Sequence, residues 1–214
     1  METYDNEHEQ VEALKAWWDK YGTRTIIAIA VLLAGVLGWR YWLDAKHREA
    51  EAASEQYMKM LEVVQSKPEQ SIEIGRQLVS AHSGSTYASM ASLMMASISI
   101  ERGDKEGASA HLRWVVEQGK QDELKEIARL RLGRLLLDTG KADEAMAIVS
   151  KSDNASFRAL TDELRGDILL AQGKRAEARN AYTNALAGYN DVPAKQNLLQ
   201  MKIDDLADAK GSNS

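Results

Sequence analysis

At 214 residues without a single cysteine, the chain excludes disulfides, thiolate catalysis, Cys-based metal sites and a lipid-bearing cysteine. Its 27 basic and 32 acidic side chains give a net charge of −5. The domain beyond the apolar segment carries only about −2, so it offers no basic footprint for nucleic acid or anionic lipid. Two prolines, few β-branched runs outside residues 25–39 and a predominance of Ala, Leu, Glu, Lys, Arg and Met predict an all-α fold.

Residues 1–23 read as a short acidic tail. Val11, Leu14, Trp18 and Tyr21 share one helical face, with Glu7, Glu9, Glu12 and Asp19 elsewhere, which predicts a short interfacial helix. The acidity argues against adsorption on anionic lipid and for a basic protein partner. Glu7, Glu9 and Glu12 are its candidate contacts.

Residues 24–43 read as a transmembrane anchor. Thr25 to Trp39 is an uncharged run of 15 residues, bounded by Arg24 and Arg40. Trp17, Trp18 and Tyr21 precede it and Trp39, Tyr41 and Trp42 follow, as expected where hydrocarbon meets water. The run alone is short for a spanning helix. If both arginines snorkel to the interfaces, Tyr21 to Leu43 spans about 35 Å at ~1.5 Å per residue. A cleavable signal peptide and a buried soluble-core helix are the rivals. No small-x-small cleavage site follows directly, the nearest being Ala50-Glu51-Ala52. Lys15, Lys20 and Arg24 balance Arg40, Lys46 and Arg48, so charge does not orient the segment. The layout of short tail and long C-terminal domain is the usual one for a cytoplasmic tail. Within the run, Ala30, Ala34 and Gly38 form a small-residue stripe, a candidate contact for another membrane helix.

Residues 44–209 carry an internal repeat. The stretches GDKEGA (103–108), GKADEA (140–145) and GKRAEA (173–178) begin 37 and 33 residues apart. Ala96, Gly133 and Gly166 stand seven before the three glycines, and Leu112, Val149 and Tyr182 stand four after the closing alanines. The pattern resembles the tetratricopeptide repeat, a helical hairpin of about 34 residues. In that reading the small residues let the first helix approach its partner, and Ala108, Ala145 and Ala178 receive it. Gly103, Gly140 and Gly173 end the first helix in a left-handed cap. The longer interval predicts extra residues around Gly119–Asp122. Unrelated alanine-rich α-hairpins are the alternative. Ahead of the repeat, Pro68 predicts a helix over Glu69–Ala81, and Ala53, Tyr57, Met60, Leu61 and Val64 continue the anchor's helical spacing. Behind it, Pro193 opens a closing helix that shields the solenoid's end. Residues 210–214 read as frayed.

A search for chemistry ends empty. His8, His47, His82 and His111 lie in separate segments without ligand spacing, and no phosphate-binding glycine motif occurs. Carboxylates fall on predicted helix surfaces, where solvation is their usual state. The chain reads as no enzyme, with no metal and no cofactor. A binding surface remains. Repeat register places Met90, Leu93 and Ser97 beside Ile127, Leu130 and Arg134, and then Leu160, Glu163 and Asp167, on the first helices that line a solenoid's concave face. Core filling is the competing role for these apolar side chains.

Three blocks together resemble a known family: ETYDNEHEQVEALKAWW at 2–18, GWRYW at 38–42 and LQMKIDDL at 199–206. They look like the YfgM family of ancillary SecYEG translocon subunits of Gram-negative bacteria, and the resemblance runs nearly the whole chain. It implies an inner-membrane protein with its C-terminal domain in the periplasm. It also implies SecYEG and the membrane-bound periplasmic chaperone PpiD as partners, and no catalytic residues. The expected function is a non-enzymatic adaptor that assists exported proteins. The alternative is a regulator of envelope stress whose tail retains a cytoplasmic response regulator, a link to Rcs having been proposed for the family. A secreted scaffold after N-terminal cleavage is a third reading.

Overall fold

The computed structural model describes residues 3–189 and 192–208, with the side chains of residues 3–10, Ala13, Thr25, Ala28, Ala207 and Asp208 outside that description. Every regular element among the described residues is helical: α1 (Thr3–Val63), α2 (Pro68–Ala81), α3 (Thr86–Glu101), α4 (Lys105–Gln118) and α5 (Asp122–Asp138). There follow α6 (Ala142–Val149), a 3-10 turn (Ala155–Phe157), α7 (Arg158–Ala171), α8 (Arg175–Ala187) and α9 (Pro193–Asp208). The chain divides into two units, Met1–Glu51 and Ala52–Ser214.

In the first unit the described apolar side chains of the Thr25–Trp39 run have no core to enter. Ile26, Ile27, Ile29, Val31, Leu32, Leu33, Val36 and Leu37 are all exposed, as are Trp39, Tyr41 and Trp42. Aromatic rings gather on each side of the run. Trp17 lies 6.1 Å from Tyr21 between centroids, and Trp39 lies 5.3 Å from Trp42. Lys46 Nζ stands 4.1 Å from the centroid of Trp42, within cation–π range. Among the described residues no single helix is long and apolar enough to cross a membrane. One bent pair, Leu14–Arg24 with Ile29–Val63 at 46°, meets the length and composition together.

In the second unit, helices adjacent in sequence pack against each other from α2 to α9, and α5 also touches α3 and α7. Local chemistry sets the boundaries. Pro68 takes the first turn of α2, where its missing N–H costs nothing. Ser85 Oγ accepts from the Ala88 amide at 3.1 Å and Asp104 Oδ1 from the Gly107 amide at 2.8 Å, capping α3 and α4. Gly103, Gly140 and Gly173 have φ of +78°, +76° and +77°. At each, the next amide reaches back to the helix, Asp104 to Ser99 O at 2.8 Å, Lys141 to Leu136 O at 2.8 Å and Lys174 to Leu169 O at 2.9 Å. The same left-handed cap therefore closes α3, α5 and α7.

The close approaches follow the repeat as well. A Cβ on Gly133 would stand 2.6 Å from Val149 Cγ2, and one on Gly166 2.4 Å from Tyr182 Cδ1. Ala96, Ala108, Ala145 and Ala178 are buried, together with Leu112, Val149 and Tyr182. One core runs from α3 to α7 around Leu112, Leu132 and Ile168. A second joins α8 and α9 through Tyr182, Leu199 and Ile203. A third seats α2 and α3 against Met60, at the end of α1, where Ser71 Oγ also donates to Met60 O at 3.1 Å. Each large apolar side chain so buried contributes about 1.5–3 kcal/mol.

One expectation is corrected. The longer first interval does not come from extra residues around Gly119–Asp122, where only residues 119–121 separate α4 from α5. It comes from helix length: α4 has 14 residues and α5 17, against 8 in α6 and 14 in α7. The segment after Val149 is polar, and Asn154 caps a 3-10 turn by accepting from the Ser156 amide at 3.0 Å. That local bonding competes with continued helix and ends α6 early.

Gly166→Ala should lower stability by about 1–3 kcal/mol, since the Tyr182 ring it meets is pinned through its hydroxyl. Gly173→Ala should cost about 1–2 kcal/mol, for the left-handed backbone alone. Urea unfolding followed by far-UV circular dichroism measures both, and loss confined to one site would contradict the repeat's shared geometry.

Candidate partner-binding face

The nine residues aligned on the first helices divide by burial. Leu93 and Leu130 belong to the α3–α7 core, Leu130 being only 3% exposed, and Ile127 and Leu160 pack partly against it. Met90 and Ser97 are half-buried on α3, and the Ser97 hydroxyl donates to its own helix at Leu93 O, 3.3 Å away. Arg134 is exposed on α5. The side chains open to a partner are thus Met90, Ser97 and Arg134, with the edges of Ile127 and Leu160.

Glu163 and Asp167 on α7 already have partners. Glu163 is 6% exposed and accepts from Lys195 Nζ on α9 at 2.9 and 3.0 Å and from the Tyr189 hydroxyl at 2.9 Å. Asp167 accepts from the Tyr182 hydroxyl at 2.8 Å and from Lys202 Nζ on α9. Burial alone would raise the Glu163 carboxyl. Hydrogen bonds from Lys195 and Tyr189 and the charges of Lys195 and Lys202 outweigh it and hold the group below the usual carboxylate range. Burial, reinforced by Asp167, pushes the Tyr182 phenol up, and burial with Glu163 does the same for Tyr189. Both hydroxyls stay protonated donors. The closing helix is therefore tied to the last hairpin by two lysines as well as by Leu199, Ile203 and Leu206.

A second polar group lies where solvated carboxylates were expected. Glu126 is 4% exposed and is bridged to Arg129, while Ser152 Oγ donates to its other oxygen at 2.6 Å. Thr161 Oγ1 lies 3.2 Å from Ser152 Oγ. Asp162, also buried, accepts from Arg165 at 2.7 Å. The carboxylates of Glu126, Asp162 and Glu163 are thus buried, contrary to the helix-surface expectation. Each is neutralised by a base three residues on or by an α9 lysine. The i,i+3 pairs Glu126/Arg129 and Asp162/Arg165 were the only trace of this in the sequence.

The other sequence-predicted contacts stand in the first unit. Ala30, Ala34 and Gly38 are exposed along α1, and a Cβ on Gly38 would meet nothing within 4 Å. Glu12 is exposed, while Glu7 and Glu9 lie outside the described side chains. Among the described residues no three His, Asp or Glu side chains gather as metal ligands.

Comparison with known proteins bears on this arrangement. The profile of a family described as tetratricopeptide repeat-like domain matches residues 15–208. A protein of Escherichia coli K12 named Ancillary SecYEG translocon subunit is 30% identical over 208 residues, covering 97% of this chain and all of the relative. Proteins of the same name from Haemophilus influenzae and Neisseria gonorrhoeae are each 30% identical, over 200 and 210 residues. They cover 94% and 96% of this chain and 97% and 100% of their own length. The chain belongs to the ancillary SecYEG translocon subunit family. No solved structure matches it. The family's tetratricopeptide repeat-like domain is the α-hairpin stack described above, and the matched span also takes in most of α1.

Two measurements test the electrostatics. Arg129→Met leaves Glu126 charged and unpaired, and should cost about 3–5 kcal/mol in chemical unfolding. Glu126→Leu with Arg129→Met should recover most of that loss. His111, half-buried on α4, is held below its ordinary pKa by burial, with Arg76 adding to the shift and Asp104 opposing it. Its depressed folded pKa means that protons bind the unfolded chain more readily, so stability falls as pH drops through about 6.5 and below. Melting temperatures at pH 7.5 and 5.5 should fall further apart in the wild type than in His111→Gln, and equal intervals would remove His111 from the account.

Proposed function

We propose that the chain is a membrane-anchored, non-enzymatic adaptor of the SecYEG translocon. The near full-length similarity to proteins named Ancillary SecYEG translocon subunit carries this reading. Residues 24–43 serve as the anchor, residues 1–23 as a cytoplasmic tail and residues 44–209 as the periplasmic repeat domain. The support for the anchor is a band of exposed apolar side chains with aromatic rings on both sides and an arginine at each end. Ala30, Ala34 and Gly38 offer a neighbouring membrane helix a stripe without bulk, and Glu7, Glu9 and Glu12 offer the tail's contact to a basic surface. The hairpin stack holds a periplasmic chaperone such as PpiD, the partner that the family resemblance implies. Confinement beside the translocon raises the effective concentration of a weak binder, so modest affinity suffices.

Affinity purification from membranes in mild detergent tests this division of labour. The full chain should bring down SecYEG with a periplasmic chaperone, and a truncation ending after Leu43 should keep SecYEG and lose the chaperone. Equal loss of both from the truncation would overturn it. Because the natural chain has no cysteine, Ser109→Cys reports orientation directly. A membrane-impermeant maleimide should label it from the periplasmic side and leave a cysteine in the tail untouched.

A further inference from the structure

α6 is the short member among the second helices: it ends at Val149 after 8 residues, where α4 has 14 and α8 has 13. Between the 3-10 turn that follows it, α7 and the end of α8 lies a cleft of about 600 Å³, within the size range of ligand sites. Arg158, Asp162 and Arg165 share one face of α7 at i, i+4 and i+7 and form its wall. Ser156 and Asn184 contribute from the two sides. Ala159 and Gly188 form a floor without bulk, so close-set that a Cβ on Gly188 would stand 2.7 Å from that of Ala159. A smaller depression of about 110 Å³ adjoins across the same three α7 side chains and takes in Asn154 and Asp153.

The charges in the cleft are unevenly satisfied. Asp162 is met by one nitrogen of Arg165 at 2.7 Å, which leaves the rest of that guanidinium fork available. Arg158 is exposed, and while its amide donates to Ala155 O, its guanidinium makes no ion pair or hydrogen bond among the described residues. Within the cleft's own lining two guanidinium groups face one buried carboxylate, Asp162, with the Asp153 carboxylate in the adjoining depression. A guanidinium fork matches a carboxylate in shape as well as charge. The intervening Asp162 disfavours a doubly charged anion. The low alanine–glycine floor admits a backbone, and the Asn184 amide has both the donor and the acceptor that a peptide group requires.

We propose that this cleft binds an extended acidic peptide segment of a partner protein. An Asp or Glu side chain docks on Arg158 and the free edge of Arg165, and the peptide backbone crosses Ala159 and Gly188 beside Asn184. The site lies on the side of α7 away from Glu163 and Asp167, which α9 occupies, so it works independently of the translocon reading.

The test is fluorescence anisotropy of a short labelled peptide of alternating Glu and Ser, titrated with the full-length protein in detergent micelles. The peptide in which Gln replaces Glu serves as comparison. The acidic peptide should bind more tightly, and added salt should weaken it. Arg158→Glu should weaken binding about tenfold or more. Lys120→Glu, the same change of charge at the α4–α5 junction one repeat earlier, should leave it unaltered. Circular dichroism confirms that both variants remain folded. Equal binding of the Glu and Gln peptides, or equal loss in the two variants, would overturn the proposal. So would competition by inorganic phosphate as effective as that of unlabelled acidic peptide, since the cleft would then be a plain anion site.

Discussion

The repeat domain depends on how closely the first helix of each hairpin meets its second. At Gly133 and Gly166 the approach leaves no room for a methyl group, and Val149 and the Tyr182 ring fill the space instead. Where a Cβ is present, at Ala96, it is still buried. Once that distance is set, Ala108, Ala145 and Ala178 follow as the small faces opposite, and each hairpin presents the same shape to its neighbour. Stability then accumulates by nearest-neighbour contact, as in any linear array. Cross-repeat ion pairs such as Lys105–Asp138 at 2.6 Å and Arg113–Glu144 at 3.0 Å are exposed and add little to it.

The last hairpin solves a different problem. A solenoid must stop, and its last helix would otherwise leave an apolar side in water. α9 covers α8 with Leu199, Ile203 and Leu206, and it also lays Lys195 and Lys202 on Glu163 and Asp167. Charged groups at a terminus specify which helix seats there and in what register, a role for which burial alone is too permissive. The tyrosines at 182 and 189 complete the hydrogen bonding of the two carboxylates, so neither is left unsatisfied as it is taken from water.

Helix identity and the hairpin geometry were legible in the sequence because they rest on single residue types at fixed offsets. A glycine that must adopt positive φ, a proline at a first turn and a small residue at a crossing each announce themselves without knowledge of distant neighbours. The candidate face was less legible. Leu93, Leu130 and Glu163 share one register position, and all three are buried rather than open on the concave face, because helix rotation within the stack depends on neighbours far along the chain. The buried carboxylates were hidden for the same reason. Glu126 resembles any surface glutamate until Ser152, 26 residues away, closes over it. The length of α6 was masked too, since the motif at its start is as complete as in the other repeats and only the turn-forming residues after Val149 shorten it.

The brevity of α6 has a thermodynamic consequence. A helix of two turns has almost no stability of its own in water and persists only through what it packs against. Here that is chiefly Ala145 and Val149, with Met146 set against both the α3–α7 core and the α8–α9 core. In a one-dimensional array such a segment is the seam at which cooperativity is lowest, so sub-global opening starts there rather than at the centre of either core. Its backbone amides would exchange with solvent soonest within the repeat domain, and the stack would behave as two foldons joined at α7.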